Sequence, residues 1–146
     1  MADFAVNPKA NFDYEILETI EGGLELFGHE VKAIKTGKAS IKGSYVKILN
    51  NEAWLVGATV SPYQAKNTPS DYDAQRSRKL LLTKKQINVL MGTSKANGLA
   101  LVPIKLYNKN NRVKLLIGIG RGKKKYDKRE AIKKRDIERA RQRGIE

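Results

Sequence analysis

Short runs of alternating apolar and polar residues recur through the first 120 residues, and this period of two predicts a mainly β body. The runs that predict strands cover residues 14–21, 24–27, 44–49, 53–60, 99–107 and 112–120, with a shorter apolar run at 78–82. Gly22-Gly23 and Asn50-Asn51 separate neighbouring runs and predict turns. The last two runs flank the sequence NKNN at residues 108–111, which predicts a β-hairpin.

The period changes to that of a helix in two places. Apolar residues three apart between Gly28 and Gly37 predict a helix of about two turns, with Gly37 as its left-handed C-cap. Thr83 and Gln86 form a capping box before an apolar stripe, and Gly92 is predicted to end this second helix. Since no βαβ rhythm is present, we expect an OB-like closed antiparallel barrel of about six strands with two or three short helices.

Segments without either period are predicted to be irregular. Residues 1–11 read as a flexible lead and residues 64–75 as a polar surface loop. The glycines at 118, 120 and 122 are expected to end the barrel and release the chain that follows. The predicted organisation is therefore a folded body at residues 1–120 and a tail at residues 121–146.

Charge is concentrated in this tail. Residues 121–146 hold twelve Lys or Arg and five Asp or Glu, a net charge of +7 that is half of the chain's +14. Its large aliphatic residues are Ile132, Ile137 and Ile145, which bury too little apolar surface to offset the entropy of ordering the segment. We therefore expect the tail to be disordered when free and to bind the phosphates of a nucleic acid.

The remaining composition argues against an enzyme. The chain has no Cys and one His, which removes disulfides, thiolate sites and His-based clusters, and Ala33 stands where an HExxH motif after His29 needs its second His. No cofactor or metal is predicted. The chain lacks an apolar run of about 18 residues and an N-terminal signal pattern, so we expect a cytoplasmic protein that does not bind membranes.

Basic side chains in the body are candidates for RNA contacts, provided that the fold brings them to one face. These candidates are Lys9, Lys32, Arg76, Arg78 and Lys79. Glu30 stands among basic residues at the start of the first helix. It is either a helix-terminus charge, worth about 1 kcal/mol or less, or an acceptor for the amino group of a nucleobase, and the residues by themselves favour the helix-terminus charge.

Several motifs, in register along the chain, resemble those of the SmpB family. They are NPKA at residues 7–10, LFGHEVK at 26–32, SYV at 44–46, SPY at 61–63, RSRKLLL at 76–82, GLALVPIKLY at 98–107 and RGKKKYDKRE at 121–130. The resemblance implies an OB-like barrel that binds the tRNA-like domain of transfer-messenger RNA (tmRNA) in bacterial ribosome rescue. It places Asn7, Lys9 and Glu30 in the RNA-binding region.

The resemblance also implies that the tail enters the decoding region of the small ribosomal subunit and becomes helical there. The tail residues expected to bind the ribosome are Lys123, Lys124, Lys125, Tyr126, Asp127, Lys128, Arg129 and Lys133. Alanyl-charged tmRNA and elongation factor Tu are expected partners of a monomer. Two other classes stay open: a structural RNA binder of the ribosomal-protein kind with a basic extension, and a hydrolase acting on nucleic acid.

Overall fold

The computed structural model describes residues 3–64, 66, 68–96 and 98–123, which form a mainly β body with three helices. The strands are β1 Asp3–Val6, β2 Tyr14–Leu24, β3 Ala39–Ser40, β4 Tyr45–Leu49, β5 Glu52–Val56, β6 Thr59–Val60, β7 Arg78–Leu81, β8 Leu99–Lys109 and β9 Arg112–Gly122. The helices are α1 Ala10–Asp13, α2 Gly28–Lys35 and α3 Lys84–Lys95.

Seven of the strands form one antiparallel sheet in the order β1-β8-β9-β2-β7-β5-β4, and β3 and β6 form a separate pair. The sheet curves so that β4 approaches β8 and wraps a core that includes Leu55, Leu115 and Ile117. The prediction of a mainly β body with short helices is confirmed.

The prediction of a closed barrel is wrong for the part of the chain described here. No backbone pairing joins the edge strands β1 and β4 among these residues. Helix α3 packs against both β4 and β8 instead, and its Leu90 is fully buried in the core. In a closed barrel, hydrogen bonds would join the two edge strands. Here a helix covers this side of the sheet instead.

Two tight turns fix the register of the long hairpins. Asn110 and Asn111 join β8 to β9 with φ angles of 53° and 62°, and Asn50 and Asn51 join β4 to β5 with φ angles of 52° and 60°. Two successive left-handed residues match the twist of the flanking strands, and Asn tolerates this conformation better than most residues. Both predicted turns are confirmed.

The turn predicted at Gly22-Gly23 is wrong, because both glycines lie inside β2. A Cβ atom on Gly22 would come within 2.8 Å of Leu82 Cδ2, so the glycine lets the strand pass close to that side chain. The strand predicted at residues 24–27 consequently becomes the end of β2 and the loop before α2.

The glycines near residue 120 are also internal to a strand, contrary to prediction. Gly118 and Gly120 are buried in β9, and a Cβ atom on Gly118 would lie 2.8 Å from Ile104 Cδ1. The strand continues to Gly122, past the boundary predicted after Gly120. The backbone N–H of Lys123 then donates to the Asp13 carbonyl at 2.8 Å.

From Asp3 onward, the predicted flexible lead is part of the fold. β1 pairs with β8, and the Asn7 side chain donates to the Pro103 carbonyl at 2.9 Å while its backbone N–H donates to Ile104 at 2.8 Å. Ala10 begins α1 and is almost fully buried. The prediction failed because it considered only local pattern, whereas the lead is held by a strand about a hundred residues away.

Both predicted helices are present. Gly37 follows α2 with φ of 81°, and the reciprocal hydrogen bonds of Thr83 and Gln86 cap α3. α3 continues past Gly92, because one exposed glycine costs a helix only about 1 kcal/mol. Within the described residues, the helices are too short and too polar for any of them to span a membrane.

Candidate nucleic-acid interface

A buried carboxylate organises the surface between α2 and β7. Glu30 lies in the first turn of α2 and has 0% exposure. Its two oxygens accept hydrogen bonds from the Phe27 backbone N–H at 2.9 Å and the Tyr72 hydroxyl at 2.8 Å. They also accept from Arg78 Nη2 at 2.7 Å and from Arg76, whose Nε lies at 3.2 Å and whose Nη2 lies closer.

Arg78 enters this cluster from the start of β7 and is equally inaccessible, with 1% exposure. Besides two hydrogen bonds to Glu30, its guanidinium donates to the carbonyls of Ala58, Ala74 and Arg76 at 3.0–3.1 Å. Every polar group of this buried pair therefore has a partner. A buried pair of this kind is costly to break, since either charge alone would remain desolvated.

The ionisation of the cluster follows from these contacts. Burial alone would raise the pKa of Glu30, but the donors from Arg76, the Phe27 backbone, Arg78 and Tyr72 outweigh it and lower the pKa to about 2. Burial, reinforced by the bond to Glu30, raises the pKa of Tyr72. Glu30 is thus a fixed negative charge that holds both arginines.

Glu30 lies in the first turn of α2 and accepts the Phe27 backbone N–H, as the helix-terminus interpretation predicts, but it is buried and also holds two arginines. The residues around Glu30 in the sequence do not reveal its contacts with Arg76 and Arg78, because these arginines lie 46 and 48 positions further along the chain. The burial of Glu30 also leaves no exposed oxygen for a nucleobase in this arrangement. Its contribution to any RNA contact would come through the groups that it holds in place.

Aromatic rings extend the cluster to the surface. The guanidinium of Arg76 lies 4.2 Å from the centroid of the Phe27 ring, which is 52% exposed. The His29 ring lies 5.6 Å from the Phe27 ring in a stacked arrangement and 4.8 Å from the Tyr72 ring in an edge arrangement. Arg76 is therefore oriented on one side by Glu30 and on the other by an aromatic face.

The other predicted RNA-binding residues lie apart from this cluster. Lys9 and Lys32 are exposed, the first before α1 and the second on α2. Lys79 is partly exposed on β7, 3.6 Å from Glu52. Asn7 is occupied by its hydrogen bond to β8. The structure thus joins Glu30, Arg76 and Arg78, and it spreads the lysines over the surface.

A second site, a cleft apart from the Glu30 cluster, was not predicted from the sequence. Strands β2, β7 and β9 bring together Glu21, Lys79, Leu81 and Lys114 along its wall, with the N-terminus of α3 beside them. Leu81 is a large apolar residue with 54% exposure. These residues are separated by up to 93 positions, so only the register of three strands could have revealed the cleft.

Glu21 has its own polar partners at the edge of this second cleft. It accepts a hydrogen bond from the Tyr107 hydroxyl, and Lys109 Nζ lies 3.1 Å away. The bond from Tyr107 lowers the pKa of Glu21 despite partial burial, and burial together with Glu21 raises the pKa of Tyr107. The cations that line the cleft are Lys114 and Lys79, the second of which pairs with Glu52 at 3.6 Å.

No cluster of three or more His, Cys, Asp or Glu able to hold a metal ion is found among the residues that the structure describes. The chemistry of the described surface is instead that of hydrogen bonding, aromatic contact and positive charge.

Comparison with known proteins identifies the family to which this chain belongs. A family model described as SmpB protein matches residues 4–146. The chain belongs to the SmpB family. The SsrA-binding protein of Gloeothece citriformis is 49% identical over 139 residues, which cover 95% of this chain and 90% of the relative. That of Bacillus pumilus is 53% identical over 133 residues, covering 91% and 85%.

A solved SmpB chain agrees with the fold. It comes from a structure described as "tmRNA-SmpB: a journey to the center of the bacterial ribosome" and is 40% identical, with a TM-score of 0.67. The similarity covers 87% of this chain and 92% of that chain. The resemblance inferred from the sequence motifs is confirmed.

Of the tail residues expected to contact the ribosome, Lys123 lies within the described part of the chain. Its Nζ donates to the Asn11 carbonyl at 2.7 Å, so the start of the tail is joined to α1. The predictions for residues 124–129 and for Lys133 fall outside the described residues. The family match nevertheless extends through them to residue 146.

Proposed function

We propose that this chain binds tmRNA and accompanies it to stalled ribosomes for trans-translation. One observation carries the proposal: the SmpB family match spans residues 4–146, so it includes both the folded body and the basic tail. The named relatives are SsrA-binding proteins, and the similar solved chain is that of tmRNA-SmpB on the bacterial ribosome. An RNA-binding role also agrees with a net charge of +14.

The body, in this proposal, binds the tRNA-like domain of tmRNA. Lys9 and Lys32 are exposed and free to approach phosphates, and Lys79 and Lys114 line a cleft beside the apolar side chain of Leu81. Phosphate contacts of this kind position an RNA, whereas apolar and polar groups between them read its shape. The cleft offers both kinds of contact within one surface.

Glu30 and Arg78 have a positioning role in this proposal. Neither is accessible, but together they fix the loop that carries Tyr72 and Arg76 against the first turn of α2. Arg76 is the partly exposed member of the cluster and is the one placed to touch RNA. We therefore keep all three residues in the proposed RNA-binding region. Arg76 would contact the RNA directly, and Glu30 and Arg78 would hold Arg76 in position.

The tail is proposed to occupy the decoding region of the small ribosomal subunit. Its net charge of +7 matches rRNA phosphates, and binding would supply the free energy that its few apolar residues cannot. Lys123 joins the start of the tail to α1, which fixes where the tail leaves the body. The tail residues proposed for contact are those named from the family motif at residues 123–129, with Lys133.

The partners and state of the protein complete the proposal. It would act as a cytoplasmic monomer without enzymatic activity, together with alanyl-charged tmRNA and elongation factor Tu. A permanent structural component of the ribosome is the alternative that the sequence left open, and it predicts presence in every ribosome. A rescue factor predicts substoichiometric occupancy that rises when ribosomes stall.

The decisive experiment is recovery of the RNA bound to the full chain from bacterial cells, followed by sequencing. Enrichment of tmRNA over other RNAs is expected, and recovery of rRNA in proportion to ribosomes would contradict the proposal. A variant ending at Lys123 should retain specific tmRNA binding, because β9 and its contact with α1 remain intact. Its binding should depend less steeply on salt, since the tail's phosphate contacts are removed.

A further inference from the structure

A cleft beside the Glu30 cluster has the composition of a binding site for a flat ring. Its volume is about 460 Å³, within the usual range for small-molecule sites. Seven residues line it, and apolar surface dominates the lining: Phe27, His29, Pro69, Asp71, Tyr72, Asp73 and Arg76. Phe27 is 52% exposed at this position, so part of its ring surface is accessible from the cleft.

The charge of this cleft disfavours a phosphate. Arg76 and Arg78 share the single carboxylate of Glu30, and the lining adds the exposed carboxylates of Asp71 and Asp73, so three negative charges stand against two positive ones at this site. Carboxylates accept hydrogen bonds and repel anions. The occupant should therefore present N–H donors at its edge and a π-face to the rings.

One polar atom at the aromatic wall lacks a partner. His29 Nδ1 is buried and makes no hydrogen bond in the described structure. A buried nitrogen without a partner is unfavourable unless a ligand or water completes it. His29 contacts both Phe27 and Tyr72, so the unsatisfied atom belongs to the same wall as the exposed ring.

We propose that this cleft binds an unpaired nucleobase that carries an exocyclic amino group. The base would stack on the aromatic wall, as single-stranded bases do on Phe, Tyr, His and Arg planes, and its amino group would donate to Asp71 or Asp73. Cytosine fits this chemistry because its N4 amino group is a donor, whereas uracil presents an acceptor at the same position. This proposal rests on the proposed function, tmRNA binding. It adds a site that recognises a single base, on a surface separate from the cleft lined by Lys79 and Lys114.

The proposal is tested with free nucleosides, which carry no phosphate and so bypass the basic surfaces and the tail. Cytidine and uridine are titrated into the full chain, and aromatic side-chain signals of Phe27, His29 and Tyr72 are followed by NMR. We expect cytidine to shift these signals saturably and uridine to bind at least about fivefold more weakly, the ratio for a lost hydrogen bond of about 1 kcal/mol.

Two variants separate stacking from edge recognition. Phe27→Leu keeps an apolar side chain but removes the ring, and it should weaken cytidine binding about fivefold or more. Asp71→Asn combined with Asp73→Asn should reduce the preference for cytidine over uridine, since a side-chain amide can accept from cytosine N4 or rotate to donate to uracil O4. Leu49→Ala and Asp3→Asn are the matched controls, because Leu49 is 50% exposed, Asp3 is exposed and neither lines the cleft. Far-UV circular dichroism of all four variants checks that they are folded.

Equal binding of cytidine and uridine, or binding that survives Phe27→Leu, would overturn the nucleobase assignment. Saturable binding of arginine amide in place of the nucleosides would also overturn it, because the cleft would then recognise a cationic side chain of a protein. These outcomes are distinguishable from failure of the proposed function: wild-type chain that binds tmRNA but not cytidine removes only the cleft, whereas loss of tmRNA binding removes both.

Discussion

The role of Glu30 leads to a prediction that separates a buried ion pair from a surface charge. Replacing Glu30 by Gln keeps the side chain's size but leaves Arg78, with 1% exposure, without its counter-ion. Removing one partner of a buried pair costs about 3–5 kcal/mol. The pKa gives a similar magnitude: at about 1.4 kcal/mol for each tenfold change in proton affinity, a fall from 4.5 to about 2 corresponds to about 3 kcal/mol.

Urea denaturation followed by far-UV circular dichroism and Trp54 fluorescence at pH 7 measures this loss. Glu52→Gln is the matched control, because Glu52 also pairs with a cation of β7, Lys79, at 3.6 Å but on the surface, where a pair is worth about 0–1 kcal/mol. If Glu30→Gln lowers the free energy of unfolding by less than about 1 kcal/mol, the buried pair described here does not exist in solution.

Three further predictions concern pH, a turn and the tail. As pH falls from about 4.5 towards 2, wild type should progressively lose the stability that ionised Glu30 provides above its unfolded pKa, so the difference from Glu30→Gln should shrink in urea titrations at each pH. Asn111→Ala should destabilise the fold by about 1–2 kcal/mol, because φ is 62° there, whereas Asn111→Gly should not; unchanged unfolding midpoints for both would contradict the left-handed turn. Alanine at residues 127–129 should abolish tagging of stalled chains while leaving tmRNA affinity of the full chain nearly unchanged, and full tagging activity would refute a decoding-region role for this motif.

Features set by neighbouring residues could be predicted from the sequence. The Asn50-Asn51 and Asn110-Asn111 turns, the Thr83 cap and the left-handed Gly37 all depend on conformational preferences within a few positions, and each is present. The family motifs allowed predictions beyond local structure, because a family resemblance implies the fold of the whole chain. Local preference and motif together therefore predicted the β class, the hairpins and the family.

Features set by distant strands could not be predicted in the same way. Gly22 looks like a turn residue until Leu82 is placed against it, and residues 3–6 look flexible until β8 pairs with them. The prediction of a closed barrel failed for a related reason: α3 packs against both β4 and β8, and nothing in its own sequence says where it packs. Each error arose where a tertiary contact overrode a local preference.

The Glu30 cluster shows why charge in a basic protein needs a structure before it is assigned to RNA. Seven residues of the body were candidates for RNA contacts. Two of them, Glu30 and Arg78, form an ion pair with each other in the interior. Their burial removes them as direct contacts but gives Arg76 a fixed orientation against Phe27, which a surface arginine with free rotamers would lack. A buried charge can thus determine the geometry of the arginine that we propose to contact the RNA. Losses of tmRNA binding in Glu30 variants should therefore be compared with the loss in Arg76→Ala, in which the buried Glu30–Arg78 pair remains and the exposed cation is gone.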